Sequence, residues 1–250
     1  MAEDVTPALL DKIQRDFNLS VNQSTKVNSV HSKLEKGTAT YLDAQTYSIE
    51  VGELLAKAFK NHLSSDTLPE GRMYFNIAER IINETLGNNH QLISTVTKQV
   101  QETLNKQAGL GLKSVDVPVY KSKIQSLVNR IANEENFDDI AWMLDEPVVT
   151  FSQNVVDSIL KANVEFQGKS GMRPTITRIV HGHKPCDWCR SLAGTYHYPD
   201  VPTDVYKRHD RCKCSVTYDP GEGKLQNVWT KDLITPEEKE SIEQRKTYGL

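Results

Sequence analysis

The chain is 250 residues and 28.2 kDa long, enough for one large domain or two small ones with a hydrophobic core. With 25% charged and 38% hydrophobic residues and a mean hydropathy of −0.52 it reads as globular and well solvated. A net charge of −3 is too near neutral for a protein whose whole surface grips nucleic acid. No apolar run approaches the roughly 18 residues of a membrane helix, so no membrane association is expected. The opening Met1-Ala-Glu-Asp carries acid where a secretory leader would carry base, so export by that route is not expected either.

The charge divides unevenly. Residues 1–165 hold 16 Lys and Arg against 22 Asp and Glu, whereas residues 166–250 hold 14 against 11. All four cysteines lie between positions 186 and 214, and four of the seven histidines (His181, His183, His197, His209) fall in the second part. Such a break predicts two regions with different roles.

From the N-terminus to about Gln167 the periodicity is helical. Thr6-Pro7 reads as an N-cap with proline behind it, and Leu9, Leu10, Ile13 and Phe17 share a face. Between Val21 and His62 the apolar positions, among them Val27, Val30, Leu34, Tyr47, Val51 and Leu55, keep a 3.6 period, with weak points at Gly37 and Gly52. Leu68-Pro-Glu-Gly71 predicts a turn. Ile77, Ile81, Ile82 and Leu86 form the next stripe, which Gly87-Asn-Asn is expected to end; Ile93, Val96, Val100 and Leu104 form another, stopped at Gly109-Leu-Gly111. Ile124, Leu127, Val128 and Ile131 mark a further helix. A short one capped by Asp138-Asp139 is expected to break at Pro147, and Val155, Ile159 and Leu160 sit on the last. His31, His62 and His90 fall on polar stretches and are expected at the surface, as are Gln99, Gln101, Asn105 and Gln107. No paired carboxylates or nucleophile–base arrangement stands out, so this part reads as a scaffold that touches other proteins.

Gly168-Lys-Ser170 is not a phosphate loop, because Asn163 stands where that motif needs glycine. Residues 168–174, rich in Gly, Ser and Pro, read instead as a linker. Thr175 to Val180 is β-branched and predicts a strand, as does Ser215 to Tyr218. Between them lie Cys186-Asp-Trp-Cys189 and His209-Asp-Arg-Cys212-Lys-Cys214, with 22 residues separating Cys189 from Cys212. A C-x-x-C turn brings two thiolates to one ion, and zinc takes four such ligands in a tetrahedron. In an extended Cys212-Lys-Cys214 the two sulfurs share a face. Cys186, Cys189, Cys212 and Cys214 make the simplest structural zinc site, with His209 competing for the fourth place. A disulfide is disfavoured without an oxidising compartment, and a thioredoxin-like site lacks its βαβ setting.

His181-Gly-His183 offers the enzyme-like alternative, a metal-dependent nuclease acting through His181, His183 or His209, although plain loop histidines fit the spacing better. Trp188, Tyr196, Tyr198 and Tyr206, interleaved with Arg190, Lys207, Arg208, Arg211 and Lys213, allow a basic surface for double-stranded DNA; read as plain structure they are a small core with a solvated rim. The expected architecture is α+β: a helical scaffold over 1–167, a linker over 168–174, a metal-stapled β module over 175–230, and a charged helix or tail over 231–250. A strand-like patch at Leu225–Trp229 precedes the tail, whose helix opens at Thr235-Pro-Glu-Glu238.

Cys186-Asp-Trp-Cys189-Arg-Ser-Leu-Ala-Gly194-Thr-Tyr followed by His209-Asp-Arg-Cys212-Lys-Cys214 resembles the C-terminal module of phage head morphogenesis proteins, the minor capsid proteins similar to the F protein of phage Mu. The resemblance covers about residues 176–220, with Asp210 where that module usually has proline and Lys213 where it usually has arginine. It implies a minor, non-enzymatic virion protein of a tailed-phage head, present in the host cytoplasm during assembly. Such a protein associates with the portal, the major capsid protein or the scaffold, and some relatives contact packaged DNA. A metal-dependent nuclease or a zinc-dependent nucleic-acid-binding module is the alternative function.

Overall fold

The computed structural model describes residues 4–181, 185–209 and 211–221. His183, Asp210, the patch at Leu225–Trp229 and the helix expected from Thr235 lie outside the described residues. The described chain is mostly helical and ends in a small antiparallel sheet, an α+β arrangement.

Helix α1 (Thr6–Gln23) starts one residue earlier than the Thr6 cap predicts. Asp4 Oδ1 accepts the Thr6 amide at 3.0 Å, and Leu9, Ile13, Phe17 and Val21 are buried along one stripe. The expected stretch from Val21 to His62 is two helices, α2 (Thr25–Glu35) and α3 (Tyr41–His62). Ser24 caps the first, and Gly37, at φ +65°, supplies the left-handed turn between them. Thr40 and Asp43 then open α3, the carboxylate accepting both the amide and the hydroxyl of Thr40.

Helix α4 (Phe75–Gln107) runs straight through Gly87-Asn-Asn, where an end was expected. A glycine costs a helix interior only about 1 kcal/mol against alanine. The apolar stripe continues unbroken through Leu86, Ile93, Val96 and Val100, each worth about 1.5–3 kcal/mol on full burial, and so outweighs it. Helix α5 (Lys121–Ala132) follows, then the short α6 (Phe137–Ile140), capped by Asn136 rather than by Asp138. Asp138 instead accepts the amide and hydroxyl of Ser65, 73 residues away. Pro147 does not break a helix; it sits in the first turn of α7 (Glu146–Lys169), which a 3-10 turn over Ala141–Leu144 precedes.

α7 packs on α3 and α4 and lies close against Gly52 of α3, where an added Cβ would stand 2.8 Å from Ser152 Oγ and 2.9 Å from Val149 Cα. The expected linker loses its first residues to this helix, because α7 extends through Gly168 to Lys169. There is no room for a side chain at Gly168, against which the Tyr198 ring lies. Strands β1 (Thr175–Ile179), β2 (Gly194–His197) and β3 (Ser215–Asp219) form one antiparallel sheet in the order β2-β1-β3. Arg178 on central β1 pairs with Gly194 on one side and Val216 on the other. The apolar core runs without a gap from Leu9 in α1 to Ile176, Val205, Val216 and Tyr218 in the sheet region.

A buried polar seam joins the helices to this sheet. Tyr41 donates to Gln101 Oε1 (2.6 Å), Gln101 donates to Asn105 Oδ1 (2.8 Å), and Gln167 donates to the same oxygen (2.8 Å). Tyr218 on β3 closes the chain by donating to Gln167 Oε1. Burial pushes the Tyr41 and Tyr218 hydroxyls well up, so both stay protonated donors. Gln101 and Asn105, expected in solvent, are buried, and so is His90, with α3, α5 and α7 among the helices packed on α4. Every buried amide in such a seam needs its partner, which fixes the register of the sheet on the helices.

Candidate metal centre

The C-x-x-C segment is a helix start. Cys186 caps α8 (Asp187–Ser191), its Sγ accepting the Cys189 amide at 3.2 Å, which places the second cysteine one turn in and buried. That amide bond holds the exposed Cys186 thiol below its usual range. Cys189 goes the other way: burial, with the Cys214 and Cys186 sulfurs beside it, pushes its thiol up to about 12. No disulfide joins any of the four cysteines.

The second half of the motif returns from a 3-10 turn at Thr203–Tyr206. Arg211 takes a left-handed conformation (φ +59°), and the Cys212 amide donates to His209 O at 3.1 Å. This tight reversal brings both His209 and Cys212 against Cys189. His209 Nε2 lies 3.0 Å from Cys189 Sγ and 3.4 Å from Cys186 Sγ, while Cys212 Sγ lies 3.9 Å from Cys189 Sγ. Two triads of donor atoms result, Cys186–Cys189–His209 and Cys189–Cys212–Cys214, each within 4.8 Å throughout and both containing Cys189. Donors at about 2.3 Å from one tetrahedral ion stand about 3.8 Å apart, so these separations suit a shared metal. All five expected residues are thus brought together, Cys212 and Cys214 both within reach of Cys189, although β3 begins only at Ser215.

Three elements hold the cluster in place. Gln153 of α7 donates to the Cys212 carbonyl (3.2 Å). Arg208 is clamped bidentately by Asp157 of α7 and donates to the Cys214 carbonyl (2.5 Å), while Gln45 of α3 donates to the same Asp157 at 2.8 Å. The third is Arg178, whose side chain reaches under the knuckle from β1. Sequence reasoning missed this residue, although an arginine two positions after Ile176 in a β-branched strand already falls on the inward face.

The basic residues expected to face DNA divide. Arg208 cannot contact it in this arrangement: its side chain has no exposed surface, because the charge is spent on Asp157. Arg190 pairs with Asp187 and Lys207 with Asp204, both at the surface; Arg211 and Lys213 are exposed. Among the aromatics Tyr206 is buried, Tyr196 and Tyr198 are half-buried, and Trp188 stays partly exposed with its edge towards His209. His181 Nε2 pairs with Ser215 Oγ at 2.8 Å.

Fold and site together define an α+β protein whose helical body carries a Cys/His knuckle with the make-up of a metal centre. No family model matches the chain, and no curated protein or solved structure matches it significantly. None of the described helices is long and apolar enough to cross a membrane.

Proposed function

We propose that zinc closes the knuckle and that the chain is a non-enzymatic minor component of a tailed-phage head, docking by its helices on a portal, capsid or scaffold protein. The observation that carries this is the convergence of C-x-x-C and H-x-x-C-x-C on Cys189, the same residues on which the resemblance to head morphogenesis proteins rests. Soft thiolates with one imidazole suit zinc, and four protein donors leave no open position for a reacting water, which makes the site a staple. We take Cys186, Cys189, His209 and Cys212 as the donors, because His209 reaches Cys189 at 3.0 Å and Cys186 at 3.4 Å and Cys212 reaches Cys189 at 3.9 Å; Cys214, in the second triad with Cys189 and Cys212, is the competing donor.

Zinc here would tie α8, the turn at Arg211 and the start of β3 into one unit. The polar seam and the Asp157–Arg208 clamp then make that unit a rigid extension of the helices. Arg190, Lys207, Arg211 and Lys213 are the exposed cations through which the module would contact packaged DNA.

Co-expression with a portal ring and its scaffold tests the reading. The expected result is co-sedimentation with portal-containing procapsids and intact plasmid DNA after incubation with Mg²⁺ or Mn²⁺. Cleavage of the plasmid that disappears in His181→Ala, with no association with portal, would replace this reading by the nuclease.

A further inference from the structure

We propose that Arg178 is a positioning residue of the metal centre, fixing the angle at which Cys189 and Cys212 meet a divalent ion and offsetting the negative charge of the metal-bound site. This rests on the metal reading above. Arg178 is 1% exposed, on the strand between β2 and β3. Its Nη1 donates to the carbonyls of Val205 (2.5 Å) and Lys207 (3.0 Å), so the guanidinium cannot swing. That leaves Nη2 aimed at two sulfurs, 3.9 Å from Cys189 and 3.7 Å from Cys212. The Trp188 ring covers it, with Cζ 5.4 Å from the ring centroid.

A guanidinium at this depth requires an anion. Asp187, Asp204 and Asp157 pair with Arg190, Lys207 and Arg208 rather than with Arg178. The two sulfurs are the partners of Nη2, and once a metal has displaced their protons they accept charge-assisted hydrogen bonds that neutral thiols do not match. Three thiolates and one imidazole around a divalent ion leave one surplus negative charge, which Arg178 neutralises. The pocket is thus complementary to the metal-bound knuckle. The same fork joins both halves of the motif to the Val205 and Lys207 carbonyls, in and just after the Thr203–Tyr206 turn, fixing the angle at which the sulfurs meet the ion.

The test uses the full chain with Arg178→Met, which keeps length and removes charge, and Arg178→Lys, which keeps charge and removes the fork. Chelator competition should show metal held about 10- to 100-fold more weakly in Arg178→Met, with partial recovery in Arg178→Lys. The thiolate-to-metal charge-transfer band of the Co²⁺-loaded protein should shift in Arg178→Met. Affinity within about twofold of the parent and an unmoved band would overturn the proposal. Should Arg178→Met fail to fold, the rise in melting temperature on metal saturation decides: it should be smaller in Arg178→Lys than in the parent, and an equal rise overturns the proposal. A parent that binds no metal overturns the zinc reading with it, whereas a parent that binds and a variant that binds equally overturns this inference alone.

Discussion

Asp157, midway along α7, and Arg208, the residue before His209, form a bidentate ion pair from which water is excluded on both sides. Gln45 donates to the same carboxylate, and Arg208 passes the contact on to the Cys214 carbonyl. The Cys/His knuckle is thereby anchored to two helices by one charge pair. Removing one partner leaves the other charge buried, so Asp157→Asn or Arg208→Met should each cost about 3–5 kcal/mol. Replacing both by apolar residues of similar volume should cost clearly less than the two losses added together. Urea unfolding of the two singles and the double gives the comparison, and additive losses would contradict the pairing.

Two glycines on long helices should respond oppositely to alanine. At Gly52 the new Cβ meets Ser152 Oγ and the Val149 Cα, one of them backbone that cannot rotate away, so Gly52→Ala should destabilise by about 1–3 kcal/mol. Nothing lies within 4 Å of the Cβ position at Gly87, so Gly87→Ala should stabilise by about 0.5–1 kcal/mol. Denaturant midpoints measure both, and a loss at Gly87 would mean that the helix is not continuous there.

His90 gives stability a pH dependence. Burial lowers its pKa against the opposing pull of Asp116, so the unfolded chain takes up the proton first as pH falls. Its contribution should be full above about pH 6.5 and decline below it. Comparing the parent with His90→Gln between about pH 7.5 and 5.5 isolates this: the stability gap between them should narrow towards the acid end. At lower pH the carboxylates take over. Asp43 is desolvated, yet Lys33 and Thr40 hold its pKa below the ordinary value. Its stabilisation is therefore present above about pH 4 and is lost as pH falls through its folded pKa.

The donor set can be read by single replacements. Cys214→Ser should keep a full metal complement, whereas Cys189→Ser, Cys212→Ser and His209→Ala should each lose it or release it readily to a chelator. Metal analysis after desalting measures this. Retention in His209→Ala with loss in Cys214→Ser would restore the all-cysteine site.

The metal-site candidates were legible because their signal is local: C-x-x-C and H-x-x-C-x-C state their chemistry within a few residues. The apolar stripes of α1 and α5 were legible for the same reason. Gln101, Asn105 and His90 were misread because their burial depends on side chains far along the chain; the Gln167 that meets Asn105 is 62 residues away. Arg208 looked like a surface cation for want of any sign that Asp157, 51 residues earlier, would claim it. Gly87 and Pro147 were read as breakers by local propensity, which the packing of α4 overrode and which the opening turn of α7 accommodates. Arg178 carried a signal, its inward register, but its partners became visible only when the knuckle was folded over it.

The account stands most directly on the metal content of the full chain. Native mass spectrometry with elemental analysis should find one zinc per chain, absent in Cys189→Ser, with the cysteines slow to react with thiol reagents until zinc is removed. A metal-free protein whose four thiols titrate freely under native conditions would contradict it.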